Sequence, residues 1–406
     1  MFRDATRIAL IATAFSCTTD SPAGAPARET LPNGAVLVRY PDLPAIDSVG
    51  PEVTEVHVDL QFGSREGDDP NLTFGRIQGI QAGSDGTIYV LDGQPDDVRV
   101  FSPDGEYLRT IVRRGEGPGE TTGASGILLS GDTLLWMNDR RGVIGVDPNG
   151  EEVRRFKRLA YDPAYYWSGA FDNYGRYWIG AYHADEERSG DLTRASAGPH
   201  TETYLRYYKS YDLSTEAIDS VPLGERVTQT YLFDIGGGGL GIMDIPFVSS
   251  DVTAVRPAGG FWHSGNTAYR ITRSSEQGDT LVVIEAALPA LPVTPEERSA
   301  YMDRTVDRQP GQRSAAERAA AVIADFKPIF HSFFVDDEDR LWARRTTRNG
   351  AYPFYDLFSE AGDYLGSVRL GFPPARGSRV WVRHGNLYTW VVDELDVQYV
   401  VRAPLS

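Results

Sequence analysis

Carboxylates are the most abundant reactive groups in this chain, and the densest run, Asp336-Asp337-Glu338-Asp339, has the look of a cation site. It lacks the alternating spacing of a calcium loop. It also aligns with Ser84-Asp85-Gly86 and Asp172-Asn173-Tyr174-Gly175, and a feature that recurs at one place in a repeat reads as a structural turn. Gly236-x-Gly238-x-x-Gly241 matches the dinucleotide-binding spacing, but Pro246 follows closely and no strand–helix–strand unit surrounds it. A loop is expected there. His183, His263, His331 and His384 are scattered, with no His-Glu-x-x-His spacing and no Gly-x-Ser-x-Gly nucleophile turn. The single cysteine, Cys17, lies too early to serve thiol catalysis. No motif therefore names a reaction, and no cofactor is implied.

The chain of 406 residues has a formal net charge of −17. Such an acidic body repels nucleic acid phosphates and anionic lipid headgroups, which excludes both as bulk partners. Whatever chemistry exists must come from side chains that the fold brings together.

One phrase recurs along the chain: a Gly or Asp turn, an apolar strand, a loop, a second strand, another acidic-Gly turn, and a third strand. The clearest copy runs Ser84-Asp85-Gly86, TIYVLD, VRVFSP, Asp104-Gly105, EYLRTIV. Further copies begin near Gly131-Asp132, Asn173-Tyr174-Gly175, Gly259-Gly260, Asp337-Glu338-Asp339 and His384-Gly385. Asp-Gly and Asn-Gly pairs are hairpin turns because such turns need positive φ. Alternation such as Val98 and Val100 against Arg99 marks half-buried strands. The first two copies are 132 − 86 = 46 residues apart, close to the roughly 40–50 residues of a propeller blade. The sixth copy lacks its outermost strand, and Val53 to Phe62 is an alternating strand without a hairpin partner. Joining the two would close a ring and remove two sheet edges.

On GTIYVLD, VRVFSPDGEYLRTI and Arg113-Arg114-Gly115-Glu116-Gly117-Pro118-Gly119-Glu120, the chain resembles secreted bacterial lipoproteins with a six-bladed, NHL-repeat-like β-propeller. The resemblance covers residues 51–406. It implies an all-β fold of four-stranded blades, an N-terminal strand closing the last blade, and an extracytoplasmic location; it implies no activity. Insertions at 181–203 and 224–250 lengthen the third and fourth units. A third, 294–326, is helical in character: Thr294 is an N-cap with Glu297 three residues on, and Ala315 to Phe326 is alanine-rich. It is expected over one mouth of the ring.

Residues 1–17 have a secretory layout: Arg3 and Arg7, then the apolar run Ile8 to Phe15, too short to span a bilayer, then Ser16-Cys17. The segment resembles a bacterial lipoprotein signal, with Ala14 where that pattern has Leu, and makes Cys17 the expected lipidation site. An ordinary signal peptide or a buried cysteine is the alternative. Residues 18–50 are expected to be a tether and N-terminal extension.

In a propeller, loops between second and third strands share one face with the blade-to-blade connections. That face should carry Asp92, Asp96, Asn138, Asp139, His183, Asn266, Arg345 and Asp393, with Phe74, Glu120, Tyr165, Tyr166, Trp167, Phe247 and His331 from the connections. Phe74, Asp139, Tyr166, Trp167, Asn266 and Arg345 are the expected ligand-binding set, fitting a small molecule, a sugar, a short peptide or an envelope protein. The aromatics serve equally to pack blade on blade. Two readings stand: a lipid-anchored binding module at the cell envelope, or a metal-assisted hydrolase of lactonase type drawing oxygens from Asp92, Glu120, Asn138, Asp139 and Asp393.

Overall fold

The computed structural model describes residues 25–405, apart from 49, 66, 68, 140–141, 158–169, 185–195, 213, 216, 309 and 349. Its strands form six sheets, one per repeat, and the chain is a six-bladed β-propeller. The expected leader and Cys17 lie outside the described residues.

Blade one shows the pattern. Ile77–Ala82 lies innermost, followed outward by Ile88–Asp92, Asp97–Phe101 and Tyr107–Arg114. Both faces of a blade pack against neighbours, so its second strand, Ile88–Asp92, is buried at every position. Burying each large apolar side chain is worth about 1.5–3 kcal/mol, and the seams are built from such residues. Six apolar clusters each join one pair of adjacent blades. The pair that shuts the ring is among them: Phe62, Tyr388, Trp390 and Val400 of blade six meet Phe74, Ile80, Ile88 and Phe101 of blade one. The alternation of Val98 and Val100 with Arg99 does not mark a half-exposed strand. Arg99 is buried as well, because Asp92 accepts a hydrogen bond from its Nη2 at 3.2 Å.

The turns behave as their sequences require. Gly150 has φ +93°, and a Cβ there would stand 2.1 Å from the Ile111 carbonyl oxygen of blade one. Glycine therefore sets how closely blades one and two approach. Asp336 is a turn residue: its carboxylate accepts the amides of Glu338 and Arg340 at 3.0 and 2.9 Å, Arg340 Nε at 2.7 Å and Trp342 Nε1 at 2.8 Å. Asp172 does the same for Tyr174, Arg176 and Trp178 in blade three.

The N-terminal segment corrects one expectation. Val53 to Phe62 is not one strand. Leu60–Phe62 pairs antiparallel with Val400 to Arg402 and supplies the missing strand of blade six. Val53–Val56 instead runs parallel to Ser367–Leu370 on blade five, the two halves being separated by His57-Val58-Asp59. The described part of the expected tether and extension, from residue 25, carries strands of its own. Ala27–Thr30 and Val36–Tyr40 form a hairpin whose second strand runs parallel to Val282–Ala286 of blade four. Residues 27–62 thus form a belt along the outer edges of blades four, five and six.

The insertions at 181–203 and 224–250 both belong to blade three. Their described residues continue its strands: Gly198–Asp212 pairs with Ile218–Gly236, which then hairpins back through Gly239–Asp244. Gly236, Gly237 and Gly238 all have positive φ and form the tip of that hairpin, which accounts for the glycine spacing. The 294–326 segment is two helices, α1 (Pro295–Arg308) and α2 (Arg313–Ala321). The capping box forms as expected: Thr294 Oγ1 accepts the Glu297 amide at 3.3 Å, and Glu297 accepts the Thr294 amide at 3.1 Å.

Candidate functional site

Because strands alternate in direction through each blade, the second-to-third-strand loops and the blade-to-blade connections emerge on one face. That face carries the described members of the expected binding set and the two elaborations, and its loops fasten blade six to one, one to two and four to five. At the end of Ile88–Asp92, the Asp92 carboxylate accepts the amides of Gly75 and Arg76, each at 2.8 Å, and that of Gln94 at 3.1 Å. Asp96, at φ +62°, accepts the amides of Gly123 and Ala124, which lead into blade two. Asp139 accepts the amide and hydroxyl of Thr122, both at 3.0 Å. Gln398 of blade six accepts the Ile77 amide at 2.8 Å and donates to the Gly75 carbonyl at 3.0 Å, bridging to blade one.

Asn266 repeats the device between blades four and five. At φ +63°, its side-chain amide donates to the Phe330 carbonyl at 2.8 Å and accepts the Phe330 amide at 2.6 Å. Phe330 is the strand partner of Arg345, so Asn266 and Arg345 meet around one residue. Arg345 pairs with both oxygens of Asp356 and donates to the Pro44 carbonyl at 2.7 Å. Asp356 also accepts the Tyr269 hydroxyl at 2.6 Å and the Ser367 hydroxyl at 2.7 Å. Burial, with the Asp356 carboxylate second, pushes the Tyr269 phenol well above its ordinary value.

The expected ligand-binding set therefore divides. Asn266 and Arg345 are together and buried, with the polar groups just named spent on the seam. Asp139 is buried at a different seam, and Phe74 is packed between blades six and one beside Phe62 and Phe101. Tyr166 and Trp167 lie outside the described residues. Of the oxygens considered for a cation, Asp92 and Asp139 are engaged as above, and Glu120 accepts the Gly117 amide at 2.7 Å. Asp393 accepts the amides of Leu395 and Val397 at 2.8 and 3.0 Å; these bonds, Val397 foremost, hold its carboxyl below the ordinary range.

Two residues of this face had little prominence in the sequence. Glu297 was legible as a capping partner, yet it also forms a buried ion pair with Lys327. Asp356 is a lone carboxylate inside Phe354–Phe358, a strand buried throughout. A charge in such a run signals a paired group, not a solvated one.

What distinguishes the face is a cap. Tyr231, Phe233, Met243 and Ile245 of the blade-three hairpin pack with Val293, Tyr301, Ala315, Ala316, Ala319 and Ile323 of the helical segment, a seventh apolar cluster separate from the six seams. The hairpin leaves Val227, Ile235 and Ile242 exposed at 49%, 59% and 57%. Among the described residues no helix is long and apolar enough to cross a membrane.

A family model agrees on the fold. Residues 57–134 match a family model described as a 6-bladed beta-propeller. No curated protein matches the chain. Similar solved structures include a putative exported protein from Bacteroides fragilis, at 11% identity and TM-score 0.42, covering 87% of this chain and 99% of that one. A DUF4221 family member from Bacteroides vulgatus has 11% identity and TM-score 0.45, covering 86% and 97%. A gluconolactonase from Xanthomonas campestris has 13% identity and TM-score 0.35, covering 88% and 98%.

Proposed function

We propose that this chain is a non-catalytic recognition module, exported and anchored at the cell envelope through Cys17, that binds a protein partner with its capped face. The observation that carries the reading is the cap: two insertions from different parts of the ring share one apolar core and present Val227, Ile235 and Ile242 to solvent. Exposed apolar groups concentrated on one elaborated element are the usual mark of an interaction surface. The hydrolase alternative would require Asp92 and Asp139 to give up the amides they now hold, which would loosen the ring. The address is supported by the apolar run that ends just before Cys17.

The test is a photo-crosslinking residue placed at Ile235 or Ile242 in the producing cell, with Tyr174, 72% exposed in a first-to-second-strand turn on the opposite face, as control. The cap positions should give a discrete protein adduct and Tyr174 none. Adducts of equal yield at all three positions, or cation-dependent lactone hydrolysis by the purified protein, would overturn the reading.

A further inference from the structure

We infer that the helical segment is a lid, hinged at its neck and able to lift off the blade-three hairpin while the ring stays intact. The inference deepens the recognition reading of the capped face, and rests on it only for its purpose. The neck is narrow: Lys327 N donates to the Leu291 carbonyl and Val293 N to the Asp325 carbonyl, both at 2.8 Å, so the ends of the segment meet. Between them the two helices are bound as one unit. Arg298 of α1 donates to the carbonyls of Ile323 at 2.8 Å and Ala324 at 3.0 Å, closing the end of the turn that follows α2.

The hold at the neck differs from the hold at the far end. At the neck, the buried Lys327 amine meets Glu297, stands 5.6 Å from the centre of the Phe247 ring, and lies 3.4 Å from the Thr347 carbonyl of blade five. Phe247 itself is at φ +60°, an uncommon conformation for a bulky residue, where the hairpin returns to the ring. At the far end, α2 offers the hairpin the methyl groups of Ala315, Ala316 and Ala319, with Ala320 beside them; the larger side chains of this interface, Val293, Tyr301 and Ile323, come from outside α2. An alanine removes far less apolar area from water than the aromatic and branched residues of the blade seams. Two hydrogen bonds add to it: Arg318 Nε to Tyr231 Oη and Tyr301 Oη to the Asp244 carbonyl, each 2.9 Å. The lid is thus pinned by a buried ion pair at one end, while at the other α2 is fastened through alanine methyl groups and one arginine hydrogen bond. Lifting it uncovers Tyr231, Phe233 and Met243.

Native-state hydrogen exchange on the full chain tests this directly. Amides of α1 and α2 should exchange together, at least about a hundredfold faster than those of Ile88–Asp92 and Leu341–Arg345. Arg318→Ala should speed lid exchange a further several-fold and leave the blade strands unchanged. Exchange of the helices at the blade rate, or acceleration of the blades by Arg318→Ala, would overturn the lid. Neither outcome depends on a partner, so failure here is distinguishable from failure of the crosslinking test.

Discussion

Arg256 stands six residues before Trp262, the place that Asp172 and Asp336 hold before Trp178 and Trp342. In blades three and five the aspartate accepts the indole N–H at 2.8 Å. In blade four the arginine turns away to Asp339 and Glu360 on blade five, and the buried Trp262 N–H has no hydrogen-bond partner among the described residues. One blade has exchanged an internal contact for a contact with its neighbour.

Trp342→Phe and Trp262→Phe remove the same atoms from equivalent sites. The first also removes a hydrogen bond to a buried carboxylate, worth about 1.5–3 kcal/mol, whereas the second removes a donor that has no acceptor. Urea denaturation should find Trp342→Phe the costlier by about 1–2 kcal/mol. Equal losses would show that the Asp336 contact is energetically silent.

His263 supplies a pH dependence. Burial, reinforced by Arg206, lowers its pKa from 6.5 to about 4, and its Nε2 lies 3.1 Å from Ser274 Oγ. The fold therefore favours the neutral ring. This contribution is fully present above pH 6.5 and is lost as pH falls from there through about 4. Between pH 7 and 4 the native protein should lose on the order of 2 kcal/mol more than His263→Gln, after allowing for partial solvent screening. Parallel stability curves for the two proteins would count against this role.

The belt can be tested by removing residues 51–62, which deletes the outer strand of blade six and the strand added to blade five. Two sheet edges become exposed, and light scattering with thermal melting should report aggregation or a marked loss of stability. A monomer that melts like the intact chain would mean that the ends contribute nothing to closure.

The blades were legible because their signals are local. Turns such as Asp85-Gly86, Asp104-Gly105 and Asn149-Gly150 place their glycines at positive φ, and strand runs such as TIYVLD sit between them. The candidate site was not legible for a reason specific to rings. Asp139 ends a strand and Asn266 stands in a loop on the same face, where the chain must also fasten one blade to the next. An aspartate poised for a ligand and one poised for a backbone amide look alike in sequence. Arg99 misled in a related way: its partner Asp92 lies on another strand, and only the pairing of Val90 with Arg99 brings the two charges together. The split of Val53 to Phe62 depended on which blade edges lay within reach, information that only the closed ring contains.

The belt also sets a timetable. Residues 27–62 leave the ribosome well before their partners, Val282–Ala286, Ser367–Leu370 and Val400 to Arg402. Gln398 closes the ring on Ile77 across 321 residues of sequence. Early blades can form their own hairpins during synthesis, but the seam between blades six and one cannot exist until the final strand is free. Until Gln398–Pro404 is in place a nascent chain is therefore an open arc with unpaired edges, and arrival of that strand closes the ring. Folding of this protein should be slow for its size and governed by that final long-range event.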